Sequence, residues 1–172
     1  DGLVDIAVTF AYTGDRADPH REGDGSFDSI PLFTEPVVIA LSESHRLATG
    51  DAIELALLGD DRWIAGCPLC RGHLLAACEA VGVTPQIELE TDNAIAVLNL
   101  VARDLGVALL PQLALATAPI PPGAAVRSTV PSSDRSIQVV VKAGSSRVPS
   151  IAAALEVITG LDGDDWGLER AR

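Results

Sequence analysis

The sequence predicts an α/β fold of two lobes, one continuous in the chain and one assembled from both of its ends. Three observations predict it. From Arg62 to Pro111 short apolar strands alternate twice with amphipathic helices. Further strand-like segments flank that stretch on both sides, and a last helical pattern closes the chain. Proline-bearing crossings near Glu35–Pro36 and near Ala118–Gly123 then divide the chain into lobe I (1–40 with 118–160), lobe II (41–117) and a tail (161–172). The polar and sulfur-bearing residues of the central stretch fall where strands end and helices begin. That is the edge at which an open α/β sheet binds small molecules.

The bulk properties set limits on function. A chain of 172 residues can bury a real core. Its 48% hydrophobic and 21% charged content is that of a globular protein. No apolar run is long enough to span a bilayer, and the first residues show no signal-peptide pattern, which points to the cytoplasm. The net charge of −12 is repelled by phosphate backbones, so the chain by itself is a poor ligand for nucleic acid. The acidic stretches Asp15–Asp28 and Asp162–Asp165 read as solvated faces. Three cysteines, an odd number in a chain too large to need covalent staples, fit a reducing compartment.

Taken in order, Leu3–Val8 is nearly continuously apolar, the pattern of a parallel strand buried on both faces. Such a strand needs neighbours on either side, so the expectation is of an N-terminal portion ahead of it. Residues 11–29 read as a loop rich in glycine and aspartate. Val37–Leu41 is the next strand, with Pro31 and Pro36 confining its leading part to an edge or an irregular crossing. Asp51 is placed to cap a short helix over Ala52–Leu58. Arg62–Ala65 is a strand feeding the loop Gly66–Gly72, and His73–Val81 a helix whose apolar stripe is Leu74, Leu75, Cys78 and Val81. Trp63 is expected to anchor this lobe's core. Gln86–Glu90 alternates as a strand. Thr91 and Asp92 offer capping oxygens to a helix over Asn93–Leu105, with Ile95, Leu98, Val101 and Leu105 at helical spacing. Val107–Leu110 is a buried strand, Gln112–Thr117 a short helix, and APIPPGAAV a linker. Ala125–Val130 and Ile137–Lys142 are strands, and Pro149–Thr159 is a helix. The tail from Leu161 has no period and reads as frayed or foreign to the fold.

Five phrases in this order resemble a known family. DGLVDIAV at 1–8, LFTEPVVIALSESHRLA at 32–48, RWIAG at 62–66, ETDN at 90–93 and LVARDLGVALLP at 100–111 are similar in wording and spacing to the effector-binding domain of LysR-type transcriptional regulators. The resemblance covers roughly residues 1–160. It implies a fold like that of type 2 periplasmic binding proteins, two α/β lobes with a small-molecule crevice between them. It also implies a winged helix-turn-helix ahead of this chain as the route to DNA, a homodimer or homotetramer, and a first lobe that starts earlier, by about 50 residues if a βαβ unit takes 30 or more.

The candidate site follows from sheet geometry and from that resemblance. Where parallel strands end and helices begin, backbone N–H groups and the positive ends of helix dipoles gather and favour anions. Three segments reach such an edge, Thr9–Thr13, Gly66–Gly72 and Thr91–Asn93. With the family's crevice as guide, the expected effector-lining residues are Thr9, Tyr12, Gly66, Cys67, Pro68, Thr91 and Asn93. The plainer reading of Thr91 and Asp92 is that they cap a helix and nothing more.

CPLCRGHLLAAC supports three readings. A metal site would use Cys67, Cys70, His73 and Cys78, but His73 and Cys78 lie about 140° apart around a helix, so the set does not converge and no metal is expected. A redox pair would use Cys67 and Cys70, which have the C-x-x-C spacing at a helix start beside Arg71, a setting that favours thiolate. The third reading is packing by small, soft side chains. His20 and His45 are expected at the surface, and Asp15, Asp18, Glu22 and Asp24 lack the spacing of an EF-hand. Neither a G-x-S-x-G elbow, an H-E-x-x-H pair nor a phosphate loop occurs, and Lys142 is the single lysine. Cys70 and His73 would stand side by side at a helix start, but without a third group to complete a catalytic set. The sequence therefore points to a non-catalytic sensor that binds a small polar or anionic effector without a cofactor. A transport-type solute-binding protein and a thiol-redox sensor are the alternatives.

Overall fold

A computed structural model of the chain describes residues 4–12 and 25–171. Its strands are β1 (Ile6–Tyr12), β2 (Phe27–Ser42), β3 (Ala52–Glu54), β4 (Arg62–Ala65), β5 (Gln86–Glu90), β6 (Ala108–Pro111), β7 (Ala124–Val130), β8 (Asp134–Lys142) and β9 (Glu169–Arg170). The α-helices are α1 (Pro68–Ala80), α2 (Ala94–Val101), α3 (Gln112–Thr117) and α4 (Pro149–Thr159). Two compact units share the chain: unit 1 is Asp1–Glu35 with Asp134–Arg172, and unit 2 is Pro36–Ser133.

In unit 2 the second half of β2 is flanked by antiparallel β6 (Val37↔Pro111 to Ala40↔Ala108) and β7 (Val38↔Ser128 to Ser42↔Ala124). β3 runs parallel to β7. β4 and β5 form a parallel pair, and β4 is tied to the start of the β6 segment by Ile64 N–H to Val107 O (2.9 Å) and Val107 N–H to Arg62 O (2.8 Å). Successive residues of a strand point to opposite faces, and here both faces are covered. Ile39, Leu41, Trp63 and Ala65 join Leu74 and Cys78 of α1 in one core. Val38, Ala40 and Ile64 join Val97, Leu98 and Val101 of α2 in a second. The apolar wording of Val37–Leu41, Trp63–Ala65 and Ala108–Leu110 is the consequence, because both faces of these segments are covered. Trp63 is completely buried, as expected of an anchor.

Gly106 is fixed by a close approach. A Cβ there would lie 2.9 Å from the Arg62 carbonyl oxygen and 3.1 Å from Ile64 Cγ1. Gly106→Ala must push β4 away from Val107, and a loss of about 1–3 kcal/mol is expected from overpacking, read as a lower urea midpoint.

In unit 1, β1 pairs antiparallel with β8 from Ile6↔Val141 to Tyr12↔Arg135, and β8 lies between β1 and β2. Glu35 and Arg135 form a buried ion pair, with Arg135 Nε 2.8 Å from Glu35 Oε1. The guanidinium also stacks over the Phe10 ring at 4.3 Å, and Phe10 meets Tyr12 edge to face at 5.9 Å.

Several expectations need correction. The first strand is shifted to Ile6–Tyr12, is antiparallel to β8, and leaves Val8 exposed. Thr9 and Tyr12 therefore lie within a strand and not in a loop after it. β2 runs through both Pro31 and Pro36 for 16 residues. Ala52–Glu54 is a strand and only Leu55–Leu58 is helical, as a 3-10 turn, because Ile53, Leu55 and Leu58 must all reach the core. α1 begins five residues before His73, since Pro68 supplies a first-turn proline. α2 stops at Val101, Asp104 three residues on takes a positive φ of 58°, and the buried stripe is Val97, Leu98 and Val101, with Ile95 exposed. β7, placed by sequence in lobe I, pairs with β2 and β3 of unit 2. The tail is folded: β9 pairs with Phe33 and Thr34, Leu168 is buried, and Arg170 donates to the carbonyls of Thr159 (2.6 Å) and Leu161 (2.7 Å). His20 and the acidic set Asp15, Asp18, Glu22 and Asp24 lie outside the described residues.

Candidate functional site

Two helix starts meet at one sheet edge in unit 2. β4 and β5 are parallel neighbours with Ala65 opposite Glu90, so the chain leaves both at the same edge. The Thr91 N–H donates to the Ala65 carbonyl at 2.9 Å and ties the two exits together. Gly66, Cys67 and Pro68 lead into α1, and Thr91 to Asn93 lead into α2.

Each helix start is capped by its own side chain. Cys67 is the N-cap of α1, its Sγ accepting the Cys70 N–H at 3.3 Å, with Pro68 in the first turn. Gly66 allows this turn to close, because a Cβ there would sit 3.0 Å from Cys70 Cβ. In α2 the cap is Asn93, whose Oδ1 accepts the Ala96 N–H at 3.0 Å. Thr91 Oγ1 in turn accepts the Asn93 N–H at 3.3 Å. Sequence reasoning gave the capping role to Thr91 and Asp92. The Ser/Thr/Asp/Asn preference at N-caps also admits Asn93, and one residue of register separates the two assignments.

A helix leaves its first N–H groups without intrahelical partners, and its dipole places partial positive charge beside them. In α2 the N–H groups of Ala94 and Ile95 belong to this set. Arg71 stands near the edge with its Nε 3.0 Å from Glu90 Oε1, both side chains well exposed. Such a pair contributes little to stability, and its guanidinium can exchange one carboxylate for another. The edge can therefore receive a small anion or polar group through backbone N–H groups, the Thr91 hydroxyl and the Asn93 amide.

Cys67 and Cys70 are partly exposed cysteines with their sulfurs 2.7 Å apart. Cys78 differs: it is wholly buried, and burial pushes its thiol up to about 11 from an ordinary 9.0. A thiol raised on folding favours the native state below its unfolded value, and that contribution is lost as pH rises toward the native one. Stability is expected to fall between about pH 9 and 11 in the native chain and to fall less in Cys78→Ala, measured by urea unfolding across that range.

His73 is buried, and its Nε2 lies 3.1 Å from Ser133 Oγ. His45, expected at the surface, has only 9% of its side chain exposed. Its Nδ1 accepts the Leu47 N–H at 3.2 Å and its Nε2 donates to Asp61 Oδ1 at 3.0 Å. Asp61 also accepts from Arg46 at 3.1 Å. These residues line a polar cavity of about 330 Å³ with Arg62, Asp104 and Gly106, at the opposite end of β4 from Gly66. No group of three or more potential metal ligands gathers among the described residues. Thr9 and Tyr12 lie on β1 of unit 1. The Thr9 hydroxyl is buried with no hydrogen-bond partner among the described residues, and Tyr12 is buried. None of the described helices is long and apolar enough to cross a membrane.

Comparison with known proteins adds a family and a fold. The family model described as "LysR substrate binding domain" matches residues 1–161. Among solved structures, a cysteine-to-serine mutant of Corynebacterium glutamicum OxyR, bound to H2O2, superposes with a TM-score of 0.70 at 21% identity over 92% of this chain and 49% of that one. The effector-binding domain of QuiR in complex with shikimate gives 0.70 at 22% identity, over 90% and 70%. The regulatory domain of Synechocystis PCC6803 CcmR in complex with 2-PG gives 0.72 at 16% identity, over 90% and 72%. The chain thus spans about half the length of the OxyR chain it matches. The fold these structures share is the periplasmic-binding-protein-like α/β architecture that the sequence predicts.

Proposed function

This chain belongs to the LysR substrate binding domain family, and from that premise we propose that it is the effector-sensing domain of a transcriptional regulator and that its effector is a small anionic or strongly polar molecule. One observation carries the proposal: the capped starts of α1 and α2 share a sheet edge, tied by the Thr91–Ala65 hydrogen bond. That edge supplies oriented N–H donors and a favourable dipole, and little else that could drive a reaction. Small-molecule complexes of QuiR with shikimate and of CcmR with 2-PG, on the same fold, support the class of ligand. Gly66, Cys67, Pro68, Thr91 and Asn93 are proposed as its contacts in unit 2.

An effector shifts such a domain only by binding one of its conformations better than another. That preference is proposed to reach DNA through a winged helix-turn-helix of the whole regulator, acting as a homodimer or homotetramer in the cytoplasm. The −12 net charge of this chain makes it unsuited to touching DNA itself. The role is regulatory and not catalytic. The test is a thermal-shift screen of small carboxylates, phosphates and neutral polyols. The expected result is stabilisation by members of the first two classes. Stabilisation by apolar compounds alone would refute the assignment of ligand class.

A further inference from the structure

We propose that Cys67 and Cys70 form a reversible dithiol–disulfide site that exchanges with small-molecule disulfides, a role independent of which effector the domain binds. Three features of the turn support it. The two thiols sit three positions apart in one helical turn, with sulfurs 2.7 Å apart, so a bond between them needs no movement of other elements. Both are partly exposed and can be reached by an attacking or leaving sulfur. Gly66 removes the side chain that would otherwise crowd Cys70. Cys78 of the same helix is a built-in control, a thiol of identical chemistry that is wholly buried in an apolar core.

The exchange balances without a cofactor. One thiolate attacks a sulfur of the small disulfide, its S–S bond breaks, and one small thiol leaves carrying a proton from solvent. The second cysteine, as thiolate, attacks the mixed disulfide at the protein sulfur. A second small thiol leaves and the Cys67–Cys70 bond forms. The protein loses two electrons and two protons, and the small disulfide is reduced to two thiols. Oxidation also engages the sulfur that now accepts the Cys70 N–H, so the cap of α1 is altered by the same event.

The test equilibrates the full chain in glutathione/glutathione-disulfide buffers, quenches with an alkylating agent, and reads each cysteine by peptide mass spectrometry. Cys67 and Cys70 are expected to become protected together by an internal bond. Their oxidised fraction should rise from about one tenth to nine tenths over about a hundredfold change in [GSH]²/[GSSG], with Cys78 staying reduced. In Cys67→Ser and in Cys70→Ser the remaining thiol should stop as a glutathione mixed disulfide. Circular dichroism shows whether these variants keep the fold. A wild-type chain that stays fully reduced in excess glutathione disulfide overturns the proposal. So does one that accumulates glutathione adducts at Cys67 or Cys70 without an internal bond.

Discussion

Glu35→Ala is expected to lower stability by about 3–5 kcal/mol in urea unfolding. The reason is the partner left behind. Glu35 is fully buried and Arg135 nearly so, and alanine would strand a guanidinium that stacks on the Phe10 face. Burying two ions is costly to begin with, so removing both together is a different experiment from removing one. The double variant Glu35→Leu with Arg135→Met should recover most of the loss and come within about 1–2 kcal/mol of the native chain. A single variant that unfolds within about 0.5 kcal/mol of the native protein would show that the pair is not buried as described.

Asn93→Asp is expected to weaken an anionic effector by about tenfold or more while leaving stability close to native. Aspartate caps a helix as well as asparagine does, so the Ala96 N–H keeps its acceptor. The same change brings a negative charge to the edge that must receive the ligand, and removes the amide N–H donors. A charge-assisted hydrogen bond contributes about 1.5–3 kcal/mol, of which 1.4 is a factor of ten in affinity. Asn93→Ala, in contrast, should lose affinity and also about 1 kcal/mol of stability, because the cap goes with it. Titration calorimetry with the tightest ligand from the thermal-shift screen separates these terms. Unchanged affinity in both Asn93→Asp and Thr91→Ala would remove the ligand from this edge.

Much of unit 2 was legible in the sequence because its periods are strong. β5 and α3 appear with the bounds that alternation, helical spacing and a flanking Pro indicate, and so does α4 in unit 1. The errors have local physical causes. Asp51 is a good cap in isolation, yet Ile53 and Leu55 are both needed in the core, and two buried residues two apart require an extended chain. Cysteine is not among the preferred N-cap residues, so the sequence places the start of α1 at His73 and not at Pro68. Ile95 and Leu105 fit a helical stripe on paper, but the stripe that packs is set by where Leu98 and Val101 point. The site was legible as an edge, from strand ends and helix starts. What sequence could not give is partnership over distance: the Thr91–Ala65 tie, the Glu35–Arg135 pair 100 positions apart, and the His45–Asp61 pair that takes His45 out of solvent.

The two cores on either side of β4 also constrain how this chain can change length. Trp63 belongs to one core and Ile64 to the other, with Ala65 returning to the first. Losing or gaining one residue within Arg62–Ala65 would send the indole into the space built for an isoleucine and leave its own place half empty. Substitutions that preserve volume can be absorbed there one at a time, whereas the insertion or deletion of a single residue in this strand cannot be compensated by any one neighbour. Length variation among descendants of this sequence should accordingly accumulate away from β4, and a lineage that altered it would need to rebuild both α1 and α2 in step.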